Sequence, residues 1–282
     1  MTVLRFLRAD VRESARVLAP VALIAFVLFV GIDAVLWLKC VRFIQMGKDA
    51  TAPTFGDCFA ALYGGALNSA LNDNERISLP MSWVAVMAVV LYAPLSYPYS
   101  NLMGFGKQLI AQGNSRWQWW VAKCLWVALC TGAMALIALL SAFLVSSLAG
   151  GELTLRTQGN LPGLLGLNGR AFLEETAPIG SFVVQAEMCL LSLCLAQLAL
   201  SLVLRPLPAF VLVIGMVSLS IFYFGFPFVG ELCMWARTSL AVNAGVNPLA
   251  GIGTSAVLAA TSVVLGGLYF SKMDILDKEL VA

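Results

Sequence analysis

Long uninterrupted runs of apolar residues dominate the hydropathy pattern of this chain. A helix rises ~1.5 Å per residue and the hydrocarbon core of a bilayer is ~30 Å thick, so about 20 apolar residues predict a transmembrane helix. Six runs meet this requirement, and none alternates as the strands of a membrane β-barrel do. The runs cover residues 17–38, 81–101, 121–148, 181–204, 209–228 and 252–270. The pattern predicts an all-α integral membrane protein with six transmembrane helices.

Composition supports one membrane domain. Of the 282 residues, 60% are hydrophobic and 11% are charged, whereas soluble domains carry roughly 25% charged residues. The chain has no internal repeat, no low-complexity tract and no soluble domain of appreciable size, so residues 1–282 are interpreted as a single transmembrane domain. The first apolar run ends in WLKC without a cleavage site, which favours an uncleaved first span.

The placement of basic residues orients the predicted spans. Lys and Arg near span ends favour the cytoplasmic side. The basic residues that lie before span one, between spans two and three, and between spans four and five are Arg5, Arg8, Arg12, Arg16, Lys107, Arg116, Lys123 and Arg205. The opposite loops hold most of the acids but also Lys39, Arg42 and Lys48, so the bias is moderate. We expect both termini to lie in the cytoplasm.

Residues 3–18 form a predicted amphipathic helix. Arg5, Arg8, Arg12 and Arg16 fall on one stripe of such a helix, and apolar residues fall on the other side. This pattern is typical of a helix that lies in the membrane interface. Two interpretations stay open: a basic anchor that holds the N-terminus inside, or a docking surface for a cytoplasmic partner.

The connection between spans two and three is the longest on the predicted inner side. It reads GFGKQLIAQGNSRWQWWVAK over residues 104–123. Its three tryptophans are interpreted first as an interfacial aromatic belt, and KQLIAQ is interpreted as a short helix that Gly113 ends. A permease that is driven by a separate motor needs such a cytoplasmic helix to receive force.

Polar side chains inside the predicted spans are candidates for function, because ionisable groups are costly there. Asp33 lies near the outer end of span one, and Glu187 lies about two turns into span four. We expect both to be packed or partly hydrated. Gln185, Glu187 and Gln197 are candidates to line one face of a transport pathway.

The outer segments predict less regular structure. Residues 224–251 are too polar for a span, and their glycines and prolines favour short broken helices between spans five and six. In span six, Gly253, Ala256 and Ala260 permit close helix packing.

Several catalytic chemistries are excluded by missing residue types. The chain has no histidine, so histidine triads and HExxH zinc sites do not occur, and it has no GxxxxGK[ST] nucleotide motif. Four of the seven cysteines lie in apolar runs and are expected to be buried: Cys124, Cys130, Cys189 and Cys194. Cys40, Cys58 and Cys233 are expected to face outward, where a Cys40–Cys58 disulfide is one alternative. We expect a non-enzymatic chain without a metal or cofactor of its own.

Parts of the chain resemble the permease subunits of bacterial ATP-binding-cassette export systems, in the family that exports drugs, antibiotics and bacteriocin-like peptides. The similarity lies in LPMSWVAV at 79–86, YPYSNLMGFGKQLI at 97–110, SRWQWWVAK at 115–123 and YFSKMDIL at 269–276. Topology and hydropathy carry much of the remaining similarity.

The resemblance implies a partner-dependent mechanism. A separate cytoplasmic ATPase would bind ATP and magnesium, two permease subunits would form the pathway in the bacterial plasma membrane, and nucleic acid would have no role. The substrate would be hydrophobic or amphipathic, such as an antimicrobial peptide or a drug. By position, the ATPase contact would involve Gly106, Lys107, Gln108, Gln112, Ser115 and Arg116, with Lys107 and Arg116 as candidate ion-pair donors. The alternatives are a secondary transporter or channel, and an immunity or anchor component of a peptide-export complex.

Overall fold

The computed structural model describes residues 3–47, 51–67, 79–95, 97–104, 116–167, 177–223, 225 and 227–273. These residues are helical, with two isolated β-bridges and no strand among them. The α-helices are α1 (Val3–Gln45), α2 (Phe55–Leu62), α3 (Met81–Tyr92), α4 (Tyr97–Met103), α5 (Arg116–Leu148), α6 (Leu161–Leu165), α7 (Gly180–Leu204), α8 (Pro206–Leu219) and α9 (Pro248–Lys272). Two short 3-10 helices cover Val229–Cys233 and Trp235–Arg237.

Five helical stretches in the described part are long and apolar enough to cross a bilayer. They are α1, the stretch Met81–Leu102 that contains α3 and α4, α5, α7 and α9. Each overlaps a span that the hydropathy pattern predicts. The predicted all-helical architecture is therefore confirmed for the described residues, and five such helices are compatible with a multi-pass membrane protein.

The fifth predicted span is longer than the helix that the structure has at this position. The pattern places it at 209–228, but α8 has only 14 residues and ends at Leu219. At ~1.5 Å per residue this is roughly 21 Å, less than the ~30 Å of a hydrocarbon core. Beyond Leu219 the chain turns, and the guanidinium of Arg237 donates hydrogen bonds to the carbonyls of Ser220 and Ile221 at 2.6 and 2.7 Å.

Helices α7 and α9 run side by side in the same direction. A Cβ added at Gly251 would meet the side chain of Gln185, and one added at Gly266 would lie 3.1 Å from Cβ of Ala199. The difference in residue number between the contacting residues of α9 and α7 is almost the same at both ends of the pair, as it is for two parallel helices. Both helices therefore run in the same direction, and α8 with the described residues between 220 and 247 connects the end of α7 to the beginning of α9.

The N-terminal segment is part of one continuous helix. Helix α1 joins the predicted amphipathic stretch 3–18 to the first span without a break, although Pro20 lies inside it. Helix α1 packs mainly along α5. The basic segment is therefore rigidly connected to the membrane-spanning part of α1.

Near the C-terminal end of α1, hydrogen bonds join α2 to segments from distant parts of the chain. Thr54 caps α2 by accepting a bond from Asp57 N at 3.0 Å, and its hydroxyl donates to the carbonyl of Arg156 at 2.7 Å. Asp57 also accepts a bond from the backbone of Gln158 at 2.8 Å. Burial raises the pKa of Asp57, although the hydrogen bonds that its carboxylate receives from Thr54 and Gln158 oppose the shift. The backbone of Trp235 donates to the carbonyl of Tyr63 at 2.7 Å, so three distant segments form one layer.

All seven cysteines are buried free thiols. The four from the apolar runs are buried as predicted. Cys40, Cys58 and Cys233, which the predicted topology puts on the outer side, are buried as well, and the alternative of a Cys40–Cys58 disulfide is wrong because both thiols are free. Packing of α2 and of residues 225–246 onto the long helices covers these three side chains.

Two of the three tryptophans are not in an aromatic belt. Trp119 and Trp120 are buried, and the Trp120 indole donates to the carbonyl of Val263 at 2.8 Å. Only Trp117, which is 45% exposed, stays on the surface as a belt residue would. The tryptophans instead join α5 to α9. Two glycines of α9 permit this, since a Cβ at Gly266 would overlap the Trp120 ring and a Cβ at Gly267 would overlap the Trp117 ring.

Candidate functional site

The predicted ATPase contact falls mostly outside the described residues. Gly106, Lys107, Gln108, Gln112 and Ser115 lie there, and Arg116 is the first residue of α5. Nη1 of Arg116 donates to the carbonyls of Ser271 and Met273 at 3.0 and 2.8 Å. A cation at the carboxyl end of a helix is favourable because unpaired carbonyls accumulate there. Arg116 thus fixes the beginning of α5 to the end of α9.

A buried ion pair lies one to two turns further along α5. Nζ of Lys123 is 2.6 Å from Oδ1 of Asp10, and both side chains are almost fully buried. The hydroxyl of Tyr97 donates to the same carboxylate oxygen at 2.9 Å, and Nζ lies 4.9 Å from the centre of the Tyr97 ring. Buried charges need such direct pairing, since their hydration is lost. The pair connects α1, α4 and α5.

Further polar contacts surround this pair. The indole of Trp126 donates to the hydroxyl of Ser14 at 2.9 Å. We call Asp10, Ser14, Tyr97, Lys123 and Trp126 the N-terminal junction. Beside it, the indole of Trp119 donates to Asn101 at 3.3 Å and its ring stacks on Phe270 at 4.8 Å. Residues near both ends of the described chain therefore lie at the same end of the bundle.

The N-terminal part of α1 has three faces rather than two. Phe6, Asp10 and Ser14 form the buried face, which the sequence pattern did not single out. Arg8, Arg12 and Arg16 form an exposed face; Arg5 is also in α1, but its side chain is outside the described part. Half of the predicted apolar face is exposed as well, with Leu4 at 74% and Val11 at 47%, and the other half is partly buried against the core. This leaves one apolar face for lipid and one cationic face beside it.

The three pathway candidates occupy different surroundings. Gln185 is buried and donates to the carbonyl of Leu232 at 2.8 Å, and Gln197 is buried and donates to the carbonyl of Leu91 at 2.9 Å. Glu187 is half-buried and accepts a hydrogen bond from the hydroxyl of Tyr63 at 3.2 Å. The two glutamines thus tie α7 to neighbouring segments, and only Glu187 keeps substantial exposure. Burial raises the pKa of Tyr63, and nearby Glu187 adds to the shift.

Asp33 is fully buried. Its Oδ2 accepts a hydrogen bond from the Ser141 hydroxyl at 3.0 Å, and its Oδ1 has no hydrogen-bond partner in the described part. Asp33 is thus a packed residue, which is one of the two expectations for it. The contact joins the middle of α1 to α5.

Arg237 is a buried cation with several hydrogen bonds that the sequence pattern did not single out. It is 3% exposed and binds four backbone carbonyls, those of Ala66, Ser220, Ile221 and Tyr223. Nη1 of Arg237 also lies 3.7 Å from Oε2 of Glu231. Its only sequence signal is an isolated cation in an otherwise apolar outer segment.

The described residues contain no candidate metal site. No group of three or more Cys, Asp or Glu side chains there is placed to hold an ion. Comparisons with protein-family models, with curated proteins and with solved structures give no match. What these arrangements do must therefore be inferred from their own chemistry.

Proposed function

We propose that this chain is the membrane-spanning permease subunit of an ATP-binding-cassette exporter. A separate cytoplasmic ATPase would supply the energy, and a second permease subunit, identical or similar, would complete the pathway. The substrate would be hydrophobic or amphipathic, such as an antimicrobial peptide or a drug. Under this proposal the chain has six membrane passes, with α8 and residues 220–247 as the fifth, and both termini lie in the cytoplasm of a bacterial cell.

One observation carries the proposal. The segment 105–115 leads directly into the first turns of α5, which are bonded to α9 through Arg116 and to α1 through Lys123. A push on this segment would therefore be transmitted to three long helices at once, because buried ion pairs and packed tryptophans resist local deformation. A permease that lacks a nucleotide site needs such a stiff connection to an external motor.

Charge reversal on the proposed partner surface tests the coupling. Arg116 is a poor probe, since its guanidinium already binds Ser271 and Met273. Lys107→Glu and Arg12→Glu are better choices, with Arg42→Glu as the matched control at the other end of α1. The first two variants are expected to lose ATPase co-purification and ATP-driven efflux at unchanged membrane insertion, and the control is expected to keep both. Normal coupling in Lys107→Glu and Arg12→Glu would refute this placement.

A secondary transporter is the second candidate, and Asp33 is the observation that favours it. A buried carboxyl in a spanning helix is a common element of proton relays. The purified chain in proteoliposomes distinguishes the two functions. Uptake or efflux that is driven by a proton gradient without any ATPase, and that Asp33→Asn abolishes, would favour the secondary transporter.

A further inference from the structure

An apolar groove opens on the side of the bundle between α7, α8 and α9. Its volume is about 570 Å³, within the ~300–1,000 Å³ of small-molecule sites. It exists because α8 packs on α7 and α3 and not along α9. Thr261 and Ser262 are polar, but their hydroxyls donate to carbonyls of α9 itself, those of Val257 and Leu258. Apart from the Tyr269 hydroxyl, the lining thus offers little to a polar ligand.

The groove is about as long as one leaflet. On α7 it runs from Leu193 to Val203 and on α9 from Leu258 to Tyr269. These segments of 11 and 12 residues span ~15–17 Å between their first and last residues, about half of the ~30 Å hydrocarbon core. At its closed end lies Gly230, where a Cβ would be 2.7 Å from Oγ of Ser220. A transmembrane helix of a partner would need a groove along the whole bilayer, so this shape does not fit one.

Two cations follow the helix segments that line the groove: Arg205 comes two residues after Val203, and Lys272 comes three residues after Tyr269. Arg205 directly follows α7 and Lys272 ends α9, and both are exposed. Because α7 and α9 are parallel and in step, these two residues are at the same level. Arg205 also has a φ of 67°, a conformation that favours glycine. An arginine at such a position points to a role for its charge.

We propose that the groove binds one acyl chain of an anionic phospholipid, whose phosphate faces Arg205 and Lys272. An alkyl chain needs no hydrogen bonds, so it matches the lining, and burial of its methylenes drives binding. The phosphate matches the two cations, since Arg binds phosphate oxygens through paired N–H groups. Basic pockets between membrane helices bind anionic headgroups in the same way. This inference does not depend on the transport function.

Lipid binding to the purified full-length chain tests the proposal. Native mass spectrometry is run with phosphatidylglycerol and with phosphatidylcholine of the same acyl chains. We expect one tightly held phosphatidylglycerol per chain and weaker phosphatidylcholine binding. Ala196→Phe, which fills the groove, should abolish the tight binding, and Ala133→Phe, on the exposed side of α5, should not.

Charge variants test the headgroup contact separately. Arg205→Gly and Lys272→Gln should each lower phosphatidylglycerol affinity about fivefold, the equivalent of ~1 kcal/mol per cation near a membrane surface. Phosphatidylcholine binding should stay unchanged, as should both affinities in Arg42→Gln. Arg205→Gly also relaxes the backbone, so a loss of selectivity without a loss of thermal stability would support the charge role. Equal binding of both lipids to the wild type, or tight binding by folded Ala196→Phe, would overturn the proposal.

Discussion

Lys123 is the residue whose surroundings change its interpretation most. In the sequence it is one more basic residue at a span end, but in the structure it is buried against Asp10. A cation that is neutralised inside the protein adds little to the orientation bias that the positive-inside rule describes. Asp10 in turn is the acid that interrupts an arginine-rich helix, and its buried position explains its presence there.

Removal of one partner of this pair should destabilise the protein strongly. Asp10→Asn leaves the Lys123 ammonium buried without its counter-charge, which is expected to cost about 3–5 kcal/mol of folding free energy. Lys123→Met should cost a similar amount, whereas the double variant should recover most of the loss because no buried charge remains. Thermal unfolding in detergent measures this cycle, with Glu152→Gln, at an exposed position away from the pair, as the control. Additive single effects would show that the two groups do not interact.

Substitution of Arg237 should destabilise the segment between α8 and α9. Arg237→Gln is expected to leave several buried carbonyls at the end of α8 without a donor, at about 1–3 kcal/mol each. Arg237→Lys should rescue only part of this, since an ammonium does not reproduce the planar fork of donors. Unfolding midpoints compare these variants with Arg42→Gln, which is exposed and should be neutral. Similar midpoints for Arg237→Gln and Arg42→Gln would contradict this role.

At the scale of elements, α9 has one packed face and one open face, and close contacts occur near both of its ends, at Gly251 and at Gly266. Gly266 lies under the ring of Trp120, whereas nothing approaches the Cβ position of Gly253 within 4 Å. The predicted small-residue stripe of Gly253, Ala256 and Ala260 is in fact exposed. Small residues alone therefore do not reveal which face of a membrane helix is packed.

This difference leads to a paired glycine prediction. Gly266→Ala should separate α5 from α9 and lower the unfolding temperature, because the indole of Trp120 is fixed by its hydrogen bond to Val263. Gly253→Ala meets no neighbour and should be neutral or slightly stabilising, because alanine has the higher helix propensity. The same thermal assay measures both variants. Equal losses of stability would place the packed face of α9 elsewhere.

At the scale of the whole molecule, the contacts of α5 place both ends of the described chain at one end of the bundle. Native cysteines are buried, so single added cysteines can report topology against a low background. We expect Ala9→Cys and Ser271→Cys to be protected from a membrane-impermeant maleimide in intact cells. Met46→Cys and Leu153→Cys, at exposed positions of the opposite end, should react. Labelling of Ala9→Cys and Ser271→Cys from opposite sides would contradict the proposed six passes.

Hydropathy determined the parts of this protein that depend on chain-local physics. A run of about 20 apolar residues must be helical in lipid, because each backbone amide needs a partner within its own segment. For this reason the predicted spans match α5, α7 and α9 to within about five residues at each end, and the first predicted span lies wholly inside α1. The same local physics identified the basic face of α1 and the buried state of Cys124 and Cys130.

Only the tertiary structure decided the features that depend on contacts between distant residues. The end of α8 at Leu219 depends on Arg237, the burial of Lys123 depends on Asp10, and Cys40 and Cys58 are covered by helices far along the chain. No local pattern encodes these pairings, because they join residues that are brought together by the folded chain alone. The apolar groove has the same origin: it is a gap between three helices, and no single helix determines it.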